Sequence, residues 1–131
     1  MSSIFTKIIN REIPAQIIAE DERFIAILDI MPLVHGHTLV IPKQETDYIF
    51  DLEGETLSAM MLFSQRVSRA VRKAIPCKRI GVSVIGLEVP HTHVHLVPIN
   101  SADDLNFTRP KLKPSPAELA STAEKIRAAL D

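Results

Sequence analysis

Residues 90–98 read PHTHVHLVP, three histidines alternating with other side chains between two prolines. Side chains on a β-strand point alternately to the two faces of its sheet. The alternation predicts a strand over His91–Val97 that places His91, His93 and His95 on one face and the intervening side chains on the other. One face of this strand is therefore expected to carry chemistry, and the other to be mostly core.

Further elements are predicted on both sides of this stretch. β-prone runs indicate strands at 16–20, 23–29, 37–41 and 79–85, the first two forming a hairpin. Apolar residues recur every three or four positions through 57–74, which predicts a long helix with Asp51 as N-cap and Pro76 as its stop. A short helix is expected at 4–9, and a capping box with proline at 115–118 predicts a C-terminal helix.

This order of elements predicts an α+β domain with a mainly antiparallel, five-stranded sheet, one long central helix and a C-terminal helix. The 131 residues, 46% of them hydrophobic, suit a single domain over 1–131 with one sizeable core. Internal repeats and low-complexity linkers are not found in the sequence.

Charge and hydropathy limit the function classes. The formal net charge of -1, with both signs scattered along the chain, predicts no nucleic-acid-binding face. The N-terminal residues lack the apolar core of a signal peptide, and no apolar run approaches the ~20 residues of a membrane helix. With the lone Cys77 unable to form an internal disulfide, we expect a cytoplasmic protein without membrane association.

Three readings of the histidine row are open: a solvated strand face, a metal site or an active site. Along an extended strand His91 and His95 lie about 13 Å apart, too far for all three rings to bind one ion, although two of them with His37 could. Perfect alternation with apolar neighbours favours an active site. Neutral imidazole is a good nucleophile near pH 7, and adjacent rings can orient it, donate to phosphate oxygens or move protons.

The sequence resembles the histidine triad (HIT) family, whose signature is His-x-His-x-His followed by two apolar residues. Residues 91–97 match it, with Thr92 as a mild departure, and residues 4–9, 28–30 and 36–43 also match family segments in order. The resemblance implies a HIT-like fold, a homodimer, and nucleotide chemistry without a cofactor.

The resemblance also implies roles for single residues. His93 would be the nucleophile, His91 and His95 would support it, and His37 would be an additional active-site histidine. Asp29 would bind the ribose hydroxyls, a task that suits a carboxylate acceptor. The base pocket would be lined by apolar positions that could equally be core: Phe5, Ile8, Ile27 and Ile30.

Two departures from the family pattern matter. Glu88 stands where many relatives carry a hydroxyl that assists the leaving group, so this carboxylate is either protonated, turned away or selective for a cationic leaving amine. Ser3 and Thr6 stand where some bacterial relatives bind structural zinc through cysteines, so no metal site is expected there.

The leading expectation is a nucleotide hydrolase or transferase that attacks the α-phosphate of a purine nucleoside phosphoramidate or related nucleotide through a nucleotidyl-histidine intermediate. The alternatives are a dinucleoside polyphosphate hydrolase and a catalytically weak nucleotide-binding module. A metal-dependent enzyme is a further alternative. Because no glycine-rich phosphate loop is present, histidines and backbone N–H groups must hold the phosphate.

Overall fold

A computed structural model describes residues 2–131 and contains a five-stranded sheet within that range. The strands are β1 (Ile17–Glu20), β2 (Phe24–Leu28), β3 (Thr38–Pro42), β4 (Arg79–Ser83) and β5 (Val94–Ile99). Their order across the sheet is β1-β2-β3-β5-β4, and every neighbouring pair is antiparallel. The predicted α+β class and antiparallel sheet are confirmed.

Helices α1 (Ile4–Ile9), α2 (Gly54–Ala74) and α3 (Pro116–Ala128) accompany the sheet. The predicted long helix and C-terminal helix are confirmed, and the capping box of Ser115 and Glu118 is formed. The prediction of Asp51 as N-cap of the long helix is wrong. Asp51 ends a 3-10 turn, and extended Glu53 precedes the helix instead. Among residues 2–131, no helix has the length and apolar character needed to cross a bilayer.

Both faces of the sheet are covered, which explains why every residue of β2 and β3 is buried. One face, here the α2 face, packs against α2 and α3 through β-strand residues such as Val40, Val94 and Leu96. The other, the α1 face, packs against Phe5 and Ile8 of α1. Each large apolar side chain buried in this way contributes about 1.5–3 kcal/mol to folding.

The strand predicted over His91–Val97 begins only at Val94. The polar groups of the preceding residues bond outside the ladder: the Thr92 N–H and hydroxyl both donate to the Thr46 carbonyl, each at 2.7 Å. The prediction of alternating faces holds from His93 onward. Val94 and Leu96 enter the α2-face core, whereas His95 pairs with Leu39, a residue of the α1 face.

Candidate active site

A cleft of about 740 Å³ opens on the α1 face beside the start of β5. Seven of the residues selected from the sequence line it: Phe5, Asp29, Ile30, His37, Glu88, His93 and His95. The other three do not. Ile8 and Ile27 lie behind the wall in the apolar cluster between α1 and the sheet, and His91 is wholly buried outside the cleft.

The His93 ring is held by a hydrogen bond to the backbone two residues before it. Nδ1 lies 2.7 Å from the carbonyl oxygen of His91, and a carbonyl can only accept. In the neutral ring the proton therefore resides on Nδ1, which leaves the lone pair on Nε2. Phe5 packs edge-on against this ring, with centroids 4.9 Å apart. The arrangement presents a nucleophilic nitrogen in a fixed orientation.

The turn before β3 brings His37 to the cleft. Gly36 has φ of 93°, in the left-handed region that favours glycine, and a Cβ there would lie 2.8 Å from the Ile75 side chain. His37 Nδ1 is 3.0 Å from the Leu33 backbone N–H, which can only donate, so the proton of neutral His37 is on Nε2.

This protonation pattern continues to His95. His37 Nε2 lies 2.9 Å from His95 Nδ1, so it donates to that nitrogen, and neutral His95 must carry its own proton on Nε2. Burial lowers the pKa of His37 to about 3 and that of His95 to about 4, and repulsion from neighbouring histidines acts in the same direction. Both rings are therefore neutral donors near pH 7.

Asp29 follows β2 and lines the cleft. Its Oδ1 accepts the Met31 N–H at 2.9 Å, and its Oδ2 is 3.7 Å from His37 Nε2. Burial raises the pKa of this carboxyl, whereas the Met31 hydrogen bond opposes the rise. Oδ2 remains available as an acceptor for hydroxyl groups of a ligand.

Asp29, His37 and His95 each place one ligand-type atom within 4.8 Å of the others, which is the sole geometric basis for the metal alternative within residues 2–131. A metal would need the lone pair of His37 Nε2. Since Nδ1 already accepts from Leu33, such a ring would lack both protons and be an anionic imidazolate, a form that burial disfavours. The cluster fits a carboxylate acceptor beside two hydrogen-bonded neutral imidazoles better than a metal site.

Among the cleft residues that sequence reasoning missed, two carry an aromatic or a charged side chain. Phe107 packs against His95 with centroids 4.7 Å apart, and Lys111 brings a cation to the same wall. Both belong to the irregular segment between β5 and α3, where the Lys111 ammonium donates to the backbone carbonyls of Phe107 and Arg109. A segment without periodicity gives no signal of the face its side chains will occupy.

His93 and His95 line one cleft beside an acidic residue and an apolar wall, and comparison with known proteins assigns this arrangement to a family. The HIT domain profile matches residues 10–102, and the chain belongs to the HIT family. A HIT-like protein from Bartonella henselae has a crystal structure that matches with a TM-score of 0.85 and 35% identity, over 98% of this chain and 97% of that one. The predicted HIT-like fold is thereby confirmed.

Relatives by sequence include both named enzymes and uncharacterised proteins. An uncharacterised HIT-like protein of Borreliella burgdorferi is 34% identical over 113 residues, 81% of each chain. An adenosine 5′-monophosphoramidase of Schizosaccharomyces pombe is 30% identical over 128 residues, 96% of each chain.

The buried neutral histidines make stability depend on pH. Because the folded pKa values of His37 and His95 lie below the ordinary value, the unfolded chain binds more protons, and the free energy of unfolding should rise with pH. Each ring should add a slope of up to about 1.4 kcal/mol per pH unit below pH ~6.5. Urea unfolding at pH 5, 6 and 7 measures this slope.

The matched variants are His37→Gln, which should flatten the slope, and His35→Gln at an exposed position outside the cleft, which should leave it unchanged. Equal slopes for His37→Gln and the unmodified chain would contradict the assignment of His37 as a buried neutral ring.

Proposed function

We propose that this protein hydrolyses a purine nucleoside phosphoramidate, or a related nucleotide, through a covalent nucleotidyl intermediate on His93. The observation that supports this most directly is the hydrogen bond from His93 Nδ1 to the His91 carbonyl, which leaves Nε2 unprotonated in the cleft. The named activity of the Schizosaccharomyces pombe relative is consistent with this chemistry.

The reaction divides into two displacements. In the first, the Nε2 lone pair attacks the α-phosphorus, a P–N bond to His93 forms, and the P–N bond to the leaving amine breaks as that amine takes a proton from solvent. In the second, water attacks the same phosphorus and gives up a proton to solvent, the bond to Nε2 breaks, and the nucleoside monophosphate is released. His93 keeps its Nδ1 proton throughout, and the His91 carbonyl stabilises the positive charge on the substituted ring.

Other residues of the cleft would stabilise the nucleotide. Neutral His95 would donate its Nε2–H to a phosphate oxygen, and its hydrogen bond from His37 fixes the ring in the orientation required. The free oxygen of Asp29 would accept from the ribose hydroxyls. Phe5 and Ile30 would form the apolar surface for the base, whereas Ile8 and Ile27 would support that surface from behind.

Replacement of His93 tests the covalent step. With an AMP–amine conjugate the unmodified protein should release AMP, and His93→Ala should lower the rate by at least about a thousandfold because the nucleophile is lost. His35→Ala, at an exposed position outside the cleft, is the control and should keep full activity. Mass spectrometry of protein that is quenched and digested at alkaline pH, where a P–N bond to histidine survives, should find the AMP adduct on the peptide that contains residue 93.

Full activity of His93→Ala would exclude the proposed nucleophile. Binding of AMP without turnover or adduct would instead favour a binding module, and faster cleavage of a dinucleoside polyphosphate than of the conjugate would favour that substrate class.

We propose further that Glu88 selects a cationic leaving amine. Glu88 is exposed on the wall of the cleft, and its negative charge contributes to the raised pKa of Asp29. Selectivity is measured as kcat/KM for a conjugate of a cationic amine divided by kcat/KM for a conjugate of a neutral amine of equal size. In Glu88→Gln this selectivity should fall about two- to fivefold, the range expected of an exposed charge pair. The control is Glu53→Gln, outside the cleft. An unchanged ratio in Glu88→Gln would contradict this selectivity.

A homodimer is also proposed, as the family membership suggests. Among the described strands, β4 pairs on one side only, and its Val82 side chain is 51% exposed. Helix α2 likewise exposes Met61 and Leu62. Unpaired edges and exposed apolar residues favour association.

Sedimentation equilibrium should report twice the 14.6 kDa chain mass, and Val82→Lys should reduce the measured mass. A species of single-chain mass at all concentrations would contradict the dimer.

A further inference from the structure

His91 influences the cleft without lining it. Its side chain is wholly buried, yet its backbone carbonyl accepts the Nδ1–H of His93. Any group that fixes the position of His91 therefore also fixes the direction in which the His93 lone pair points.

The His91 ring is bonded at both nitrogens. Nε2 lies 2.7 Å from the Pro42 carbonyl, which can only accept, so Nε2 carries the proton and Nδ1 accepts. The Ser3 hydroxyl donates to Nδ1 over 2.6 Å. Ser3 is also the N-cap of α1, because its Oγ accepts the Thr6 N–H at 3.0 Å. The first turn of α1 and the His91 ring thus share one hydroxyl group.

Glu45, in the loop after β3, is exposed and binds Ser3 and Thr6 at the start of α1. Its Oε1 accepts the Ser3 N–H at 2.8 Å and the Thr6 hydroxyl at 2.6 Å. These hydrogen bonds lower the pKa of Glu45 to about 2, so the carboxylate is charged at all physiological pH values. The same loop holds the chain next to His91, since Thr46 accepts both hydrogen bonds from Thr92.

We propose that Glu45 is a positioning residue for the nucleophile, acting through Ser3 and His91 to keep the His93 ring in one orientation and one tautomer. The same bonds fix α1, whose Phe5 packs against His93 and lines the cleft. One carboxylate thereby aligns the attacking nitrogen with the wall beside it. The catalytic meaning of this alignment rests on the proposed function, whereas the control of the tautomer does not.

The test compares Glu45→Ala, which removes the acceptor, with Glu45→Gln, which retains a carbonyl oxygen able to accept from Ser3 and Thr6. Glu12→Ala is the control, at an exposed glutamate beyond the end of α1 whose side chain makes no hydrogen bond within residues 2–131. Imidazole ¹⁵N NMR of the free protein at pH 7.5 reports which nitrogen of His93 carries the proton.

Glu45→Ala should show a new population of the Nε2–H tautomer of His93, and Glu45→Gln and Glu12→Ala should retain the Nδ1–H form. With the AMP–amine conjugate, kcat of Glu45→Ala should fall about 10- to 100-fold, as expected for a displaced reacting group, while KM changes less than about twofold. Glu45→Gln should recover most of kcat. Should Glu45→Ala fail to fold, Ser3→Ala removes the bond to His91 and should produce the same tautomer change.

An unchanged His93 tautomer and kcat in Glu45→Ala, or in Ser3→Ala if that variant is used, would overturn the proposal. So would a loss of kcat that Glu45→Gln shares in full, or a loss explained by a lower Tm at the assay temperature with the tautomer unchanged. If the unmodified protein does not turn over the conjugate, the proposed function fails, and the NMR comparison alone then decides whether Glu45 positions His93.

Discussion

The hydrogen bond from His93 Nδ1 to the His91 carbonyl determines what chemistry the cleft can perform. A neutral imidazole has one ring proton, so fixing it on one nitrogen frees the other as a nucleophile. The bond joins residues only two positions apart. Since residue 92 bonds to the loop after β3, the chain joins the sheet only at Val94.

The site has space because helices cover the two faces of the sheet to different extents. The 21-residue helix α2 and the 13-residue helix α3 pack on one face, where Val94 and Leu96 anchor β5 in the larger core. The six-residue helix α1 packs on the other face. The part of the face that this short helix does not cover becomes the cleft, and His93 and His95 line it.

Regular structure was predictable from the sequence, whereas contacts between distant segments were not. The two-residue period of a strand placed His93 and His95 on the correct face of the sheet, because strand geometry alone sets the faces. The environment of His91 depends on partners 49 and 88 positions away, which no local pattern encodes. Apolar character likewise did not separate Phe5, on the wall, from Ile8 behind it, since both a pocket and a core require it.

The direction of the hydrogen bonds through His37 has one further consequence. The line that runs from the Leu33 amide through His37 to His95 begins at a group that neither accepts nor readily gives up a proton. This chain of hydrogen bonds therefore cannot deliver protons from the protein interior. In the proposed reaction, protons must come from the solvent side of the cleft, and the interior of the sheet supplies none.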